Sequence, residues 1–341
     1  MNPLRVIRFR STIVLTVVLA TLCVASMLFS LYAGPMDVSF GQILRVLGAW
    51  AGLGTRSLDA STQSVILDVR LPRILLAALA GGALSLAGAI FQALLRNVLA
   101  EPYILGVSGG ASVGALLAIT SGIGAVVFAA VPLFAFAGAG CVALLVYFLG
   151  ARLRMGDSNS LLLSGVMVGA FCSAAILGMI AMVGDPLRNA MFWLLGYLGN
   201  ATMEAVLIVA PVVLALAVVF FLLAHSINAL SLGKEQASHL GVSVKTLSTL
   251  LYAAASLLSA VIVSFAGTIG FVGLIVPHAC RRLFGSDHRI LLPAAFFSGA
   301  MFLVFSDLLA RTLFFPMELP VGAVTAAIGA PLFISLLRAK G

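Results

Sequence analysis

Long uninterrupted apolar runs decide what this chain can fold into. They fall at 12–33, 72–95, 104–121, 126–149, 160–183, 203–224, 244–265, 267–283, 290–311 and 321–338. A helix needs about 20 apolar residues to cross about 30 Å of hydrocarbon. All but the shortest, 267–283, come close to that length. Only 9% of residues are charged and 62% are hydrophobic, whereas a soluble domain carries about 25% charged residues. Backbone amides in lipid must be satisfied within the segment, which a helix does unaided. Barrel strands would alternate every second residue, and these runs do not. The expectation is an all-α membrane protein, a polytopic bundle of about ten transmembrane helices forming a single domain over residues 1–341.

The net charge of +8 follows topology rather than nucleic acid. With ten spans and a cytoplasmic start, Arg45, Arg56, Arg70, Arg73, Arg188 and Arg311 fall outside, and the other 13 of the 19 Lys and Arg residues fall inside. That bias is what the positive-inside rule expects, with both termini cytoplasmic. The first run, from Thr12, is longer than a signal-peptide core and reads as a retained helix. Cys23, Cys141, Cys172 and Cys280 sit in separate spans and read as small packing residues. The four histidines fit no zinc spacing, so no metal site is expected.

Between the first two spans, Ser39-Phe40-Gly41-Gln42 has the form of a capping box, opening a short amphipathic helix at the outer interface. That helix reads equally as a partner platform or as a seal on the bundle. Within the spans, Gly81, Gly82, Ser85, Gly88, Gly110 and Gly114 provide small faces for close helix contact. No Gly-x-x-x-x-Gly-Lys-Ser/Thr loop is present, since Gly233-Lys234 is followed by Glu235. Ionisable groups are nearly absent from span centres, where an ion-coupled carrier usually keeps them. The driving energy therefore points outside the chain.

Several short motifs occur in one order: Arg70-Leu71-Pro72-Arg73, Arg96 to Pro102, the Asn228 to Gly241 segment, Gly270 to Leu274, Pro277-His278, Asp287-His288-Arg289 and Glu318 to Gly322. Together they resemble the FecCD-type permease subunit of ABC importers for iron chelates (siderophores), haem and cobalamin. The resemblance implies a type II importer permease fold. It also implies a homodimer in the inner (cytoplasmic) membrane, served by two ABC ATPase subunits and one periplasmic substrate-binding protein. ATP and Mg would act on the ATPase, with no cofactor on this chain and no enzyme activity of its own. The expected cargo is an iron chelate or haem, with cobalamin the alternative. An ion-coupled secondary carrier and a non-transporting scaffold are the readings from other classes.

The resemblance assigns roles to particular residues. In the segment 228–241, Ser231, Gly233, Glu235, Ala237, Leu240 and Gly241 would couple to the ATPase, and the apolar Ala237 and Leu240 favour a docking surface over a solvated loop. Arg70, Arg73 and Arg311 would receive carboxylates of the binding protein through their planar forks. Arg311, four residues after Asp307, is also placed for an internal pair. Asn97, Leu99, Ser158 and Asn159 would form the cytoplasmic gate, with helix capping as the alternative. Val98 stands where the family usually has proline, which leaves that turn less rigid. Arg188, near Trp193, is the one hook for an anionic substrate entering the vestibule.

Overall fold

The structure, a computed structural model, describes residues 9–36, 38–50, 52, 59–127, 129–152, 158–182 and 187–338. Among them the secondary structure is entirely helical. The chain runs α1 (Phe9–Tyr32), α2 (Phe40–Trp50), α3 (Ala60–Ser64), a π-helical turn (Val65–Arg70), α4 (Leu71–Leu95), α5 (Val107–Thr120), α6 (Ile123–Val126) and α7 (Ala130–Arg152). It continues through α8 (Ser158–Met182), α9 (Leu187–Leu194), α10 (Met203–Leu222), α11 (Ala224–Leu232), α12 (Lys234–His239), α13 (Val244–Ala266), α14 (Val272–Phe284), α15 (His288–Thr312) and α16 (Val321–Arg338). Each of the ten expected runs has its helix.

Seven helical stretches are long and apolar enough to cross a membrane: those containing α1, α4, α7, α8, α10, α13 and α15. The other three runs form α5, α14 and α16, of which α5 and α16 are shorter apolar helices. α5 has 14 residues and α14 has 13, about 20 Å each at 1.5 Å per residue. The sequence reading of 267–283 as one helix is therefore shortened, because Gly267 to Phe271 forms a bend. Phe271 adopts φ 70 there, and its N–H is taken by the buried carboxylate of Glu101. A carboxylate suits the free amides of a helix start.

α4 lies at the centre. Its apolar window is 83% buried, against 17% for α1 and 22% for α8. Small residues let backbones meet where lipid offers no hydrophobic drive. α4 crosses α15 at Gly81 and Gly299, and crosses α14 at Gly88 and Gly273; in both places an added Cβ would collide with the facing carbonyl. α5 meets α7 in the same way at Gly110 and Gly138. Pro72 enters α4 with no N–H to give, and the hydrogen-bond ladder just before it slips into the π register. That slip sets Arg70 and Arg73, both buried, at one end of the bundle.

α2 opens as its sequence predicts. Ser39 N–H donates to Gln42 Oε1 at 2.8 Å, and Gln42 N–H donates to Ser39 Oγ at 3.3 Å. Ile43 and Val46 turn into the protein, while Phe40 and Leu44 remain exposed.

Candidate functional site

The bundle carries two polar assemblies, one at each end of α4. At its start, Arg73 Nε donates to both oxygens of Asp307, at 2.9 and 3.1 Å. Its Nη1 donates to both oxygens of Glu318, at 3.1 and 3.0 Å. Arg311 Nε lies 3.8 Å from Asp307 Oδ2, and Arg311 Nη2 donates to Ser30 Oγ at 2.7 Å and to the Ser30 carbonyl. Arg70 donates to the carbonyls of Leu31, at 2.7 Å, and Met36. The helices explain the grouping: the π-helical turn supplies Arg70 and α4 supplies Arg73, α15 the Asp307 and Arg311 one turn apart, and α1 the Ser30 and Leu31 oxygens.

All three guanidinium groups are buried and engaged inside the chain, with Arg70, Arg73 and Arg311 only 3–5% exposed. The reason is energetic: a charge removed from water must be paired and hydrogen-bonded. The pairing of Asp307 with Arg311 at four-residue spacing is present. The sequence reading did not assign a site role to Glu318, although it noted the motif that contains it.

Beside this cluster lies a cavity of about 710 Å³. Arg188, Phe192, Trp193, Tyr197, Asn200 and Phe265 are among the residues that line it. Arg188 lies 5.6 Å from the centre of the Phe192 ring, a cation–π contact. The Tyr197 hydroxyl donates to Glu318 Oε2 at 3.2 Å, so cavity and arginine cluster share a residue. Burial first, then the Glu318 carboxylate, raises the Tyr197 phenol above its ordinary range and keeps it a donor.

At the other end of α4, Arg96 closes the helix in the left-handed conformation. Asn97 Oδ1 accepts the Leu99 N–H at 2.9 Å, an Asx turn. Leu99 is 45% exposed. α8 starts at Ser158, and the side chains of Ser158 and Asn159 lie outside the described residues.

The α11–α12 pair stands at this end. Gly233 joins the two helices with φ 131, a conformation suited to glycine, and an added Cβ there would meet Gln236 and come near Arg96. Gly241 ends the motif with φ 81. Ser231 Oγ bonds back to the Ile227 carbonyl at 2.9 Å, and Glu235 lies in the first turn of α12.

One reading of this segment changes, that of Ala237. Asn228 sits inside α11 and clamps the start of α15. Its Nδ2 donates to Asp287 Oδ1 at 2.8 Å, and its Oδ1 accepts from the His288 backbone at 2.9 Å. Ala237 is fully buried within this chain, so the exposed Leu240, not Ala237, offers apolar surface. Asp287 also receives Arg289, and these hydrogen bonds hold its carboxyl well below the usual range.

A cross-brace lies deeper in the bundle. Gln92 Nε2 donates to the Gly273 carbonyl at 3.1 Å, and Gln92 Oε1 accepts from Arg281. It ties α4 to α14. Nothing in the local pattern around Gln92 signalled this role, because its partners are 181 and 189 residues away.

The chain as a whole is similar to known proteins. The sequence matches the FecCD transport family over residues 22–339. It is 44% identical over 278 residues to the cobalamin import permease BtuC of Halobacterium salinarum, covering 82% of this chain and 74% of that one. It is 37% identical over 327 residues to the Fe(3+)-citrate import permease YfmE of Bacillus subtilis, covering 96% and 94%. With the hemin transport permease HmuU of Yersinia pestis it shares 38% over 297 residues, covering 84% and 86%. The fold is similar to an inward-facing putative metal-chelate ABC transporter, with TM-score 0.83, 30% identity, and coverage of 95% of this chain and 98% of that one. This membrane-embedded chain, with seven helices among the described residues long and apolar enough to cross a membrane and with its two polar assemblies, belongs to the FecCD transport family and is an ABC importer permease.

Proposed function

We propose that this permease carries an iron chelate, a siderophore complex or haem, across the inner membrane, working as a homodimer with two ATPase subunits and one periplasmic binding protein. The observation that carries the coupling reading is the α11–α12 knob. It is a rigid pair of short helices with a buried Ala237, an exposed Leu232 and Leu240, and a clamp through Asn228 onto α15. Such a knob suits docking against an ATPase that burns the fuel, while this chain binds neither ATP nor Mg and catalyses nothing itself. On this reading the knob end, with both termini, faces the cytoplasm and the Arg73 end faces the periplasm. Asn97, Leu99, Ser158 and Asn159 then belong to the cytoplasmic gate, and the cavity at Arg188 opens on the side from which substrate enters. Arg70, Arg73 and Arg311 serve the binding protein's carboxylates only after their internal bonds rearrange.

Cobalamin is the second reading, favoured by the 44% identity to an archaeal cobalamin permease. Reconstitution in liposomes with the ATPase and binding protein, assayed for ATP-driven uptake of haem, a ferric siderophore and cobalamin, tests both. Uptake of cobalamin alone overturns the iron reading. Uptake by this chain alone under a proton or sodium gradient overturns the ABC mechanism.

A further inference from the structure

Asn228 spends both ends of its side-chain amide on one target. Its Nδ2 donates to Asp287 Oδ1 at 2.8 Å. Its Oδ1 accepts the His288 N–H at 2.9 Å and stands 2.7 Å from His288 Nδ1. Asp287 is the N-cap of α15, and its Oδ1 also accepts the Arg289 N–H at 3.0 Å. A helix start has amides without intrahelical partners, so this cap is built jointly by the helix's own aspartate and by a side chain of the knob. The grip is firmly seated: Ile227 and Leu230 of α11 are at most 2% exposed, and His288 is buried. Pro293 has no N–H for the Arg289 carbonyl, so the first turn of α15 leans on the cap for its direction. From there α15 runs past the Gly81–Gly299 crossing to Asp307 and the Arg73 assembly.

We infer that Asn228 is a positioning residue for transport: its amide carries displacement of the knob to the start of α15. The inference rests on the reading that the knob docks an ATPase. The knob's covalent joints are poorer levers. Toward α13 it continues through the non-helical link 240–243, where Gly241 has φ 81; such a link bends more readily than it pushes. Toward α10 it adjoins a peripheral helix whose apolar window is 33% buried, against 61% for α15. Only the clamp reaches a helix packed on the central α4. A shift of α11 must either move the α15 cap or leave its polar groups unpaired, and unpaired buried groups are costly. By linkage, whatever fixes α15 biases the knob in return.

The test uses the complete transporter, permease with ATPase and binding protein, in nanodiscs and in liposomes. Spin labels are placed on Ser238→Cys, exposed on the knob, or on Ser286→Cys, exposed one residue before the cap. The background is Cys141→Ser, since Cys141 is exposed and the other three cysteines are buried. Two permease copies give one label-to-label distance for each site. ATP with vanadate should shift both distances in the otherwise native protein. In Asn228→Asp, which sets a carboxylate against Asp287, the Ser238 distance should still shift and the Ser286 distance should not. In uptake assays with haem, a ferric siderophore and cobalamin, ATP used per molecule carried should rise about tenfold, within the range of about 5–150-fold for coupling between sites. Combining Asn228→Asp with Asp287→Asn exchanges donor and acceptor, rebuilds the hydrogen bond, and should restore both the Ser286 shift and the ratio. If both labels shift normally in Asn228→Asp, or the exchanged pair restores nothing, the inference is wrong while docking stands. Should Asn228→Asp fail to assemble, Asn228→Ala, which adds no charge, carries the same expectation; failure of both makes the clamp a folding contact and overturns the inference. If Leu240→Glu leaves ATPase binding and transport normal, the docking reading fails and the inference falls with it.

Discussion

At the scale of single residues, the buried Arg73–Asp307 pair makes the sharpest demand. Removing one partner of a buried pair strands the other charge, at a cost of about 3–5 kcal/mol. Arg73→Ala should therefore lower the thermal stability of the detergent-solubilised protein strongly. Arg73→Ala combined with Asp307→Ala should recover part of that loss, and a double variant as unstable as the sum of the singles would show that the two groups are not coupled. Asp287 gives a pH-dependent expectation. Its folded pKa is depressed, chiefly by the hydrogen bond from Arg289, so its contribution is present above the ordinary aspartate pKa of about 3.9. It is lost as pH falls through the lower folded value. Native protein and Asp287→Asn should then differ in melting temperature by a constant amount near neutrality and converge only in strong acid. Such partners were only half legible in the sequence. The Asp307–Arg311 spacing showed itself, because four residues is one helical turn. The Arg73–Asp307 bond spans 234 residues, and no local period reports a contact made by folding alone.

At the scale of elements, hydropathy placed a helix in each of the ten apolar runs because length and solvent leave little choice, and it passed over the short α3, α6 and α9. It could not see that α14 starts late, since Gly267 to Phe271 is nearly as apolar as a span and only the backbone bend and Glu101 separate them. It also misjudged which face of the α11–α12 knob is free: composition marks Ala237 and Leu240 alike, and packing alone buries the first. The two positions should consequently behave differently. Leu240→Glu should leave folding intact and reduce ATPase stimulation and uptake by about tenfold or more, the effect of placing an unpaired charge in an apolar contact. Ala237→Glu should instead lower the yield of folded permease, because the charge enters this chain's own core. Normal coupled transport by Leu240→Glu would return the knob to a solvated turn. Helix crossings make a related demand. Gly81→Val should destabilise the α4–α15 contact, visible as a lowered melting temperature, because the facing Gly299 carbonyl has no room to retreat.

At the scale of the whole molecule, topology and assembly are the testable quantities. Impermeant labelling of single cysteines placed after Arg45 and within α12 should report opposite sides of the membrane; the same side for both would break the proposed orientation. The long separation between Arg73 and Asp307 also bears on how the chain is made. Ribosomes add about 5–20 residues per second, so α4 waits roughly 10–50 s for the carboxylate that neutralises it. Arg73 lies near the start of its helix, where a long side chain can reach the headgroup region meanwhile. Membrane integration of α4 is thus provisional until α15 emerges. A nascent chain truncated before Asp307 should leave the first half of the protein inserted yet unsealed, and open to the quality-control proteases that patrol the bilayer.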